Sequence, residues 1–158
     1  MNTALVNNKM QFNYPDGFSV LSEEEIRQLY QTDNPDIYAI RNTDRHITLA
    51  VFHHRTNTFL VKLASAKDVA KSTESRIRKG MKQAGYQLIG FNSREAAGQT
   101  GEGFRYQYSV QGIGQQCDVL VLKHQDTCYT VYYYTRPELS EENQKVYDDI
   151  LDSITFTE

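Results

Sequence analysis

Four kinds of residue in this chain are candidates for chemistry: paired histidines, two cysteines, a glycine-rich stretch and paired carboxylates. His53 and His54 are adjacent. Successive side chains of a strand point to opposite faces, so the two do not converge on one metal ion. A structural zinc site needs three or four ligands with closed spacing. Recruiting His46, His124, Cys117 or Cys128 takes tertiary contacts that no spacing here supplies, so no metal is expected. Cys128 lies four residues from His124 across a tight turn, an approach that suits a Cys–His nucleophile pair. A reactive thiolate also needs an electropositive setting, and no helix N-terminus stands beside this hairpin. Gly98-Gln99-Thr100-Gly101-Glu102-Gly103 has the glycine content of a phosphate loop. It lacks the Gly-Lys-Ser/Thr ending and leads into a strand instead of a helix, so a hairpin loop over Ala97–Gly103 is expected. The carboxylate pairs Glu24-Glu25, Glu141-Glu142 and Asp148-Asp149 fall on helix ends or wet faces with no distant acid opposite them. The expectation is no catalytic residue, no cofactor, no metal and no enzyme.

Composition carries the one positive signal. The chain holds 11 Tyr and 7 Phe but no Trp. The tyrosines concentrate in strand-like runs, where aromatic rings pack well across strands. Phe104, Tyr106, Tyr108 and Val110 alternate with polar residues, and Tyr132 and Tyr134 share one face of a later strand while Tyr129 and Tyr133 share the other. One face must cover the main helix. The other, if only partly covered, leaves a Tyr-lined surface, a composition favoured at protein interfaces. Phe104, Tyr106, Tyr108, Tyr132 and Tyr134 are therefore the expected partner-binding surface. The alternative is a small-ligand pocket between the sheet and the N-terminal hairpin.

With 158 residues, the chain has the size of one domain. Hydrophobic residues at 39% and charged residues at 23% place it among globular chains. A net charge of −3 argues against nucleic acid, which asks for clustered cations. Arg76, Arg78, Lys79 and Lys82 alternate with apolar helix positions and read as a solvated face. No apolar run of about 18 residues exists to span a membrane. The N-terminus lacks the basic start and apolar core of a signal peptide. A cytoplasmic protein is expected, although a trimmed piece of a secreted one reads the same.

The elements that must position these residues follow from local patterns. Residues 1–8 read as a flexible N-terminus before a single domain over 9–158. Lys9 to Leu21 reads as a hairpin about Pro15-Asp16-Gly17, a strong turn signal. Ser22 with Glu25 forms a capping box for a short helix with Ile26, Leu29 and Tyr30 on its apolar stripe. Ile37–Arg41 and His46–His54 read as a second hairpin with Ile47, Leu49 and Val51 on one face. Thr56 to Leu63 is either strand or loop. Ser65 and Asp68 cap the main helix, whose core face is Val69, Ala70, Thr73, Ile77, Met81 and Ala84. Four strand-like runs follow, the last from Cys128 to Thr135. The final two turn near Gln125-Asp126, which sets Cys128 opposite Lys123 and Cys117 opposite Tyr134. That separation is far beyond disulfide reach, so two free thiols are expected. Ser140 is the expected cap of a last helix with Val146, Tyr147, Ile150 and Leu151 as its stripe.

In its order of elements the chain resembles the PsbP-like superfamily. That group includes the PsbP protein of photosystem II, the nuclear Ran-binding import factor and the DcrB-like bacterial proteins. The resemblance rests on Phe12-Asn13-Tyr14-Pro15-Asp16-Gly17-Phe18, Ser65-Ala66-Lys67-Asp68-Val69, Gly85-Tyr86, the meander, and the closing Ile150 to Phe156. It implies an α+β fold: a central antiparallel β-sheet flanked by helices, an α/β/α sandwich with an N-terminal β-hairpin and a C-terminal helix. It also implies a protein-binding or chaperone-like accessory role with an unknown protein partner, and supplies no catalytic set to carry over. Many bacterial members carry an export signal that this sequence does not show.

Overall fold

The computed structural model describes residues 1–55 and 65–157; the stretch from Thr56 to Leu63, ambiguous in sequence, lies outside them. The chain opens with β1 (Asn2–Val6), which pairs antiparallel with β2 (Met10–Tyr14). Asn7 and Asn8, at φ 55° and 54°, make the turn. Asparagine tolerates this left-handed geometry, and Lys9 completes a three-residue loop, its N–H donating to the Val6 carbonyl at 3.0 Å. The expected flexible N-terminus is therefore a strand, with Ala4 and Val6 buried beside Met10, Phe12 and Tyr14. The expected hairpin about Pro15-Asp16-Gly17 is also displaced. That turn passes the chain out of one sheet into another, because β3 (Ser19–Val20) pairs with β4 (Ile37–Asn42) and not with β2.

Between them, α1 (Glu23–Tyr30) starts at the expected capping box of Ser22 and Glu25. The β4–β5 hairpin forms as expected, with β5 spanning Ile47–Arg55. Helix α2 (Ala66–Gly80) starts at the Ser65/Asp68 capping box and is followed by a 3₁₀ turn over Lys82–Ala84. Its inner face carries Ala70, Thr73 and Glu74, all buried, with Ile77 half-buried. The buried Glu74 accepts a hydrogen bond from the Tyr86 hydroxyl at 2.7 Å, with Arg78 Nε 3.5 Å away.

The meander is β6 (Gln87–Ala96), β7 (Gln99–Val110), β8 (Ile113–His124) and β9 (Thr127–Thr135). The expected loop over Ala97–Gly103 is two residues long. Ala97 and Gly98, both at positive φ, make the turn, and Gln99 to Gly103 are strand. The glycines there serve close approach. A Cβ on Gly103 would overlap the Val119 carbonyl oxygen, and one on Gly101 would lie 2.8 Å from methyls of Leu120 and Leu122. A short 3₁₀ turn (Pro137–Leu139) leads into α3 (Ser140–Asp152). Ser140 is not its cap; its hydroxyl accepts a hydrogen bond from Gln116 Nε2 at 2.7 Å. β10 (Thr155–Phe156) then pairs with β2, so both ends of the chain meet in a three-stranded sheet ordered β1-β2-β10.

The main sheet has seven antiparallel strands in the order β3-β4-β5-β9-β8-β7-β6. Each face holds its own core. One face packs Leu49, Val51, Leu120, Leu122, Tyr129, Val131 and Tyr133 against α3 and the small sheet. The other packs Ala39, Ala50, Phe104, Tyr106, Val119, Val121 and Tyr132 against α1 and α2. This is the expected α+β sandwich around an antiparallel sheet.

Candidate functional site

Phe104, Tyr106 and Tyr132 are 0%, 1% and 8% exposed, and Tyr108 and Tyr134 are half-buried. All five belong to the face under α1 and α2. The face opposite the main helix instead carries Tyr129 and Tyr133, which α3 and the small sheet cover. The assignment of faces was thus reversed, and neither face is the open Tyr-lined surface that strand alternation suggested. The rings form a packed ladder: Tyr86 stacks on Tyr106 with centroids 5.3 Å apart, Tyr106 on Tyr108 at 5.7 Å, and Phe52 meets Tyr132 at 4.9 Å. Burial pushes the Tyr132 hydroxyl up to about 12, and those of Tyr106, Tyr108 and Tyr134 higher. These phenols stay protonated and act as packing.

The cysteines stand where the register argument put them: Cys117 opposite Tyr134 and Cys128 opposite Lys123, both free and buried. Burial pushes both thiols up, Cys117 strongly, which disfavours the thiolate a nucleophile needs. Cys128 points into the core under α2, whereas the His124 ring stacks on Phe156 with centroids 4.4 Å apart on the opposite side. The Cys–His approach is not made. Among the described residues no group of three or more His, Cys, Asp or Glu side chains could hold a metal ion.

Between the N-terminal hairpin and the sheet, where a ligand pocket was the alternative, lies a cleft of about 400 Å³. Its walls are polar, not apolar. Asn7 Nδ2 donates to the Tyr129 hydroxyl at 3.2 Å, and Arg55 Nε lies 2.7 Å from Asp126 Oδ2. His53 Nε2 lies 3.9 Å from Asp36 Oδ1. Burial depresses the His53 pKa, against the opposing pull of Asp36. Lys9 and Arg55 balance Asp36 and Asp126, so the formal charge of the lining sums to zero with its histidines neutral.

The surface that stands out is the edge of the main sheet that no other strand pairs with among the described residues. At one end, β3 is only two residues long. At the other, β6 is ten residues long, and Leu88, Ile89 and Phe91 on it are 37%, 49% and 50% exposed. A bulge between Leu88 and Gly90 brings Ile89 to the α3 side. Phe91 rests on Phe104 with ring centroids 5.8 Å apart. A cleft flanks β6 on each face of the sheet. The α2-side cleft, about 280 Å³, lies between Lys67 and Lys71 on the helix and Phe91, Ser93 and Gly103 on the strands. The α3-side cleft, about 340 Å³, includes Ile89, Arg94, Arg105 and Gln144. There Arg105 makes two bonds to Asp118, at 2.8 and 3.0 Å, and one to Gln144 at 2.8 Å. Arg94 bridges to Asp148 and Asp152 of α3. Sequence patterning missed this site. Leu88, Ile89 and Phe91 read as an ordinary strand, and only the strand order leaves them at an edge.

No protein-family model matches the sequence, and no curated protein matches it. Solved structures do. Cyanobacterial PsbP (CyanoP) from Synechocystis sp. PCC 6803 superposes with a TM-score of 0.73 at 16% identity, covering 99% of this chain and 92% of that one. LpqN of Mycobacterium tuberculosis, described as involved in cell envelope biogenesis, gives 0.63 at 13% identity over 94% and 83%. The Ran-binding protein Mog1p of Saccharomyces cerevisiae gives 0.60 at 8% identity over 98% and 95%. The chain shares its fold with these structures, cyanobacterial PsbP among them. Among the described residues no helix is long and apolar enough to cross a membrane.

Proposed function

We propose that this chain is a non-enzymatic, protein-binding accessory module whose partner docks on the β6 edge. The observation that carries the proposal is the run of three large apolar side chains, Leu88, Ile89 and Phe91, exposed on an edge strand of ten residues. Monomeric proteins seldom leave such an edge open, because unpaired backbone beside apolar side chains invites another chain. This surface is not the tyrosine-rich one expected from sequence. Phe104 and Tyr106 lie one strand inward as the packed floor, and Phe91 and Leu88 above them present the surface. A Ran-binding protein of the same fold is consistent with a binding role. The test is affinity capture with the wild-type chain and with an Ile89→Ser/Phe91→Ser double variant. Loss of the Phe91–Phe104 ring contact costs about 0.5–1.5 kcal/mol, so the variant stays folded. It should lose the captured partner. Undiminished capture by a folded variant would move the binding surface elsewhere.

A second reading, a small-ligand module, is supported by the cleft between the hairpin and the sheet, whose lining includes His53, Arg55 and Tyr129. A thermal-shift screen of small polar metabolites tests it: a stabilising ligand whose effect His53→Ala abolishes supports the reading.

A further inference from the structure

Resting on the protein-binding reading, we infer that the β6 edge recognises its partner by strand addition, and that the segment it takes is extended, apolar and acidic. Among the described residues β6 pairs only with β7, so the other side of the strand presents its backbone N–H and C=O groups as a template. Side chains of β6 alternate across the sheet. Phe91 and Ser93 turn to the α2 side, and Arg94 turns to the α3 side, where it meets Asp148 and Asp152. An added strand lies about 4.8 Å beyond β6 and alternates in the same way. Its side chains would therefore enter the α2-side and α3-side clefts in turn. Backbone bonds supply affinity in such recognition, and pockets for alternate side chains supply specificity.

The charge around the α2-side cleft sets the chemistry. Lys67 and Lys71, one helical turn apart, line it; neither is within salt-bridge distance of a carboxylate among the described residues, and Asp68 beside them, which caps the helix at Ser65, attracts both at longer range. The one carboxylate in its lining, Glu102, accepts the Ser93 hydroxyl hydrogen, with Oγ 2.9 Å from each oxygen, and it stands against two lysines. A net positive charge thus faces the position of an incoming side chain two residues from the one that packs on Phe91. A glutamate or aspartate at that spacing from an apolar residue is the matching pattern. A second copy of this chain is the poorer occupant. Antiparallel pairing of two β6 edges would bring both α2 helices to the same face of the joined sheet, setting Lys67 and Lys71 of one copy towards those of the other.

The probe is a ten-residue peptide with two valines and one glutamate in one row of alternate positions, and threonine and serine in the other. It is titrated into the full ¹⁵N-labelled chain. We expect the shifts to centre on β6, and the β6 amides not bonded to β7 to gain exchange protection. Methylating alternate peptide amides in one register should weaken binding at least tenfold, and in the other register only slightly. Replacing the glutamate by lysine should weaken binding several-fold at low salt, and a Lys67→Glu/Lys71→Glu variant should reverse that preference. Equal binding by both methylated peptides would overturn strand addition while leaving surface docking intact. So would the absence of β6 shifts at millimolar peptide. Indifference to the glutamate-to-lysine exchange would overturn the acidic preference. A dimer in sedimentation with β6 amides already protected would make a second copy the occupant. Failure of the protein-binding reading itself shows separately, as unchanged capture by the Ile89→Ser/Phe91→Ser variant.

Discussion

Gly103→Ala tests the structure where sequence and fold disagree most, in the stretch that reads as a loop and folds as strand. The added methyl would overlap the Val119 carbonyl oxygen, and it would stand 3.0 Å from the Val119 carbonyl carbon and 3.3 Å from Leu120 Cα. All three are backbone atoms in β8, a central strand flanked by β7 and β9. No rotamer change relieves the overlap; β7 must move off β8. Overpacking in a core costs about 1–3 kcal/mol when side chains can adjust, and a backbone collision belongs at or above the top of that range. Against a total stability of ~5–15 kcal/mol, a loss of ~3 kcal/mol lowers Tm by roughly 6–12 °C for a chain of this size. The control is Gly90→Ala. Gly90 has no heavy atom within 4 Å of its added Cβ and no positive φ. That change should be neutral or stabilise by about 0.4–1 kcal/mol through the unfolded chain. Both variants are read by urea denaturation at constant m-value. A loss below 1 kcal/mol for Gly103→Ala would mean that β7 does not approach β8 this closely, and equal losses from both glycines would refute the account of why one of them is required.

Three further outcomes are expected. Both cysteines should titrate as free thiols in denaturant without reductant and react slowly in the native protein at pH 8, since both are buried and Cys117 is held far above the ordinary thiol range; a mass two hydrogens below the reduced chain would contradict this. Ala70→Asp, at a position 1% exposed on the inner face of α2, should abolish cooperative unfolding or cost several kcal/mol, as an unpaired buried charge does, whereas Ser72→Asp on the exposed side should change stability by ~0.5 kcal/mol or less. His53 has a pKa depressed in the folded state, so the unfolded chain binds its proton first. Its contribution is complete above the unfolded value of about 6.5 and is lost as pH falls from there towards the lower folded value; His53→Gln should flatten the decline of stability with acidification in that window, and an unchanged slope would show that His53 is not buried in its neutral form.

Local chemistry in the sequence specified a good deal of this fold, and its failures share one cause. Both capping boxes, Ser22/Glu25 and Ser65/Asp68, formed because each is closed within four residues. The register of β8 on β9 was legible to the residue, since a tight turn at Gln125-Asp126 leaves one alignment. Pro15-Asp16-Gly17 is equally strong turn chemistry, yet it did not make a hairpin. A turn dictates the corner, whereas the partner of the next strand is chosen by distant residues, here Ile40 and Arg41 of β4. The same limit explains the tyrosines. Period-two alternation states which of them share a face, and Tyr132 with Tyr134 do share one; it cannot state what lies on that face. The covering elements come from residues 23–30 and 66–80 on one side and from the two chain ends on the other. Exposure is thus a property of strand order, and strand order is set by the most non-local contacts in the molecule. That is why the aromatic-rich strands inside the sheet are core, while Leu88, Ile89 and Phe91, with nothing unusual in their local pattern, are among the large apolar residues that face water. On the strand-addition proposal, binding depends on β6 standing last in the sheet, so anything that adds a strand there should compete with the partner for the same backbone groups.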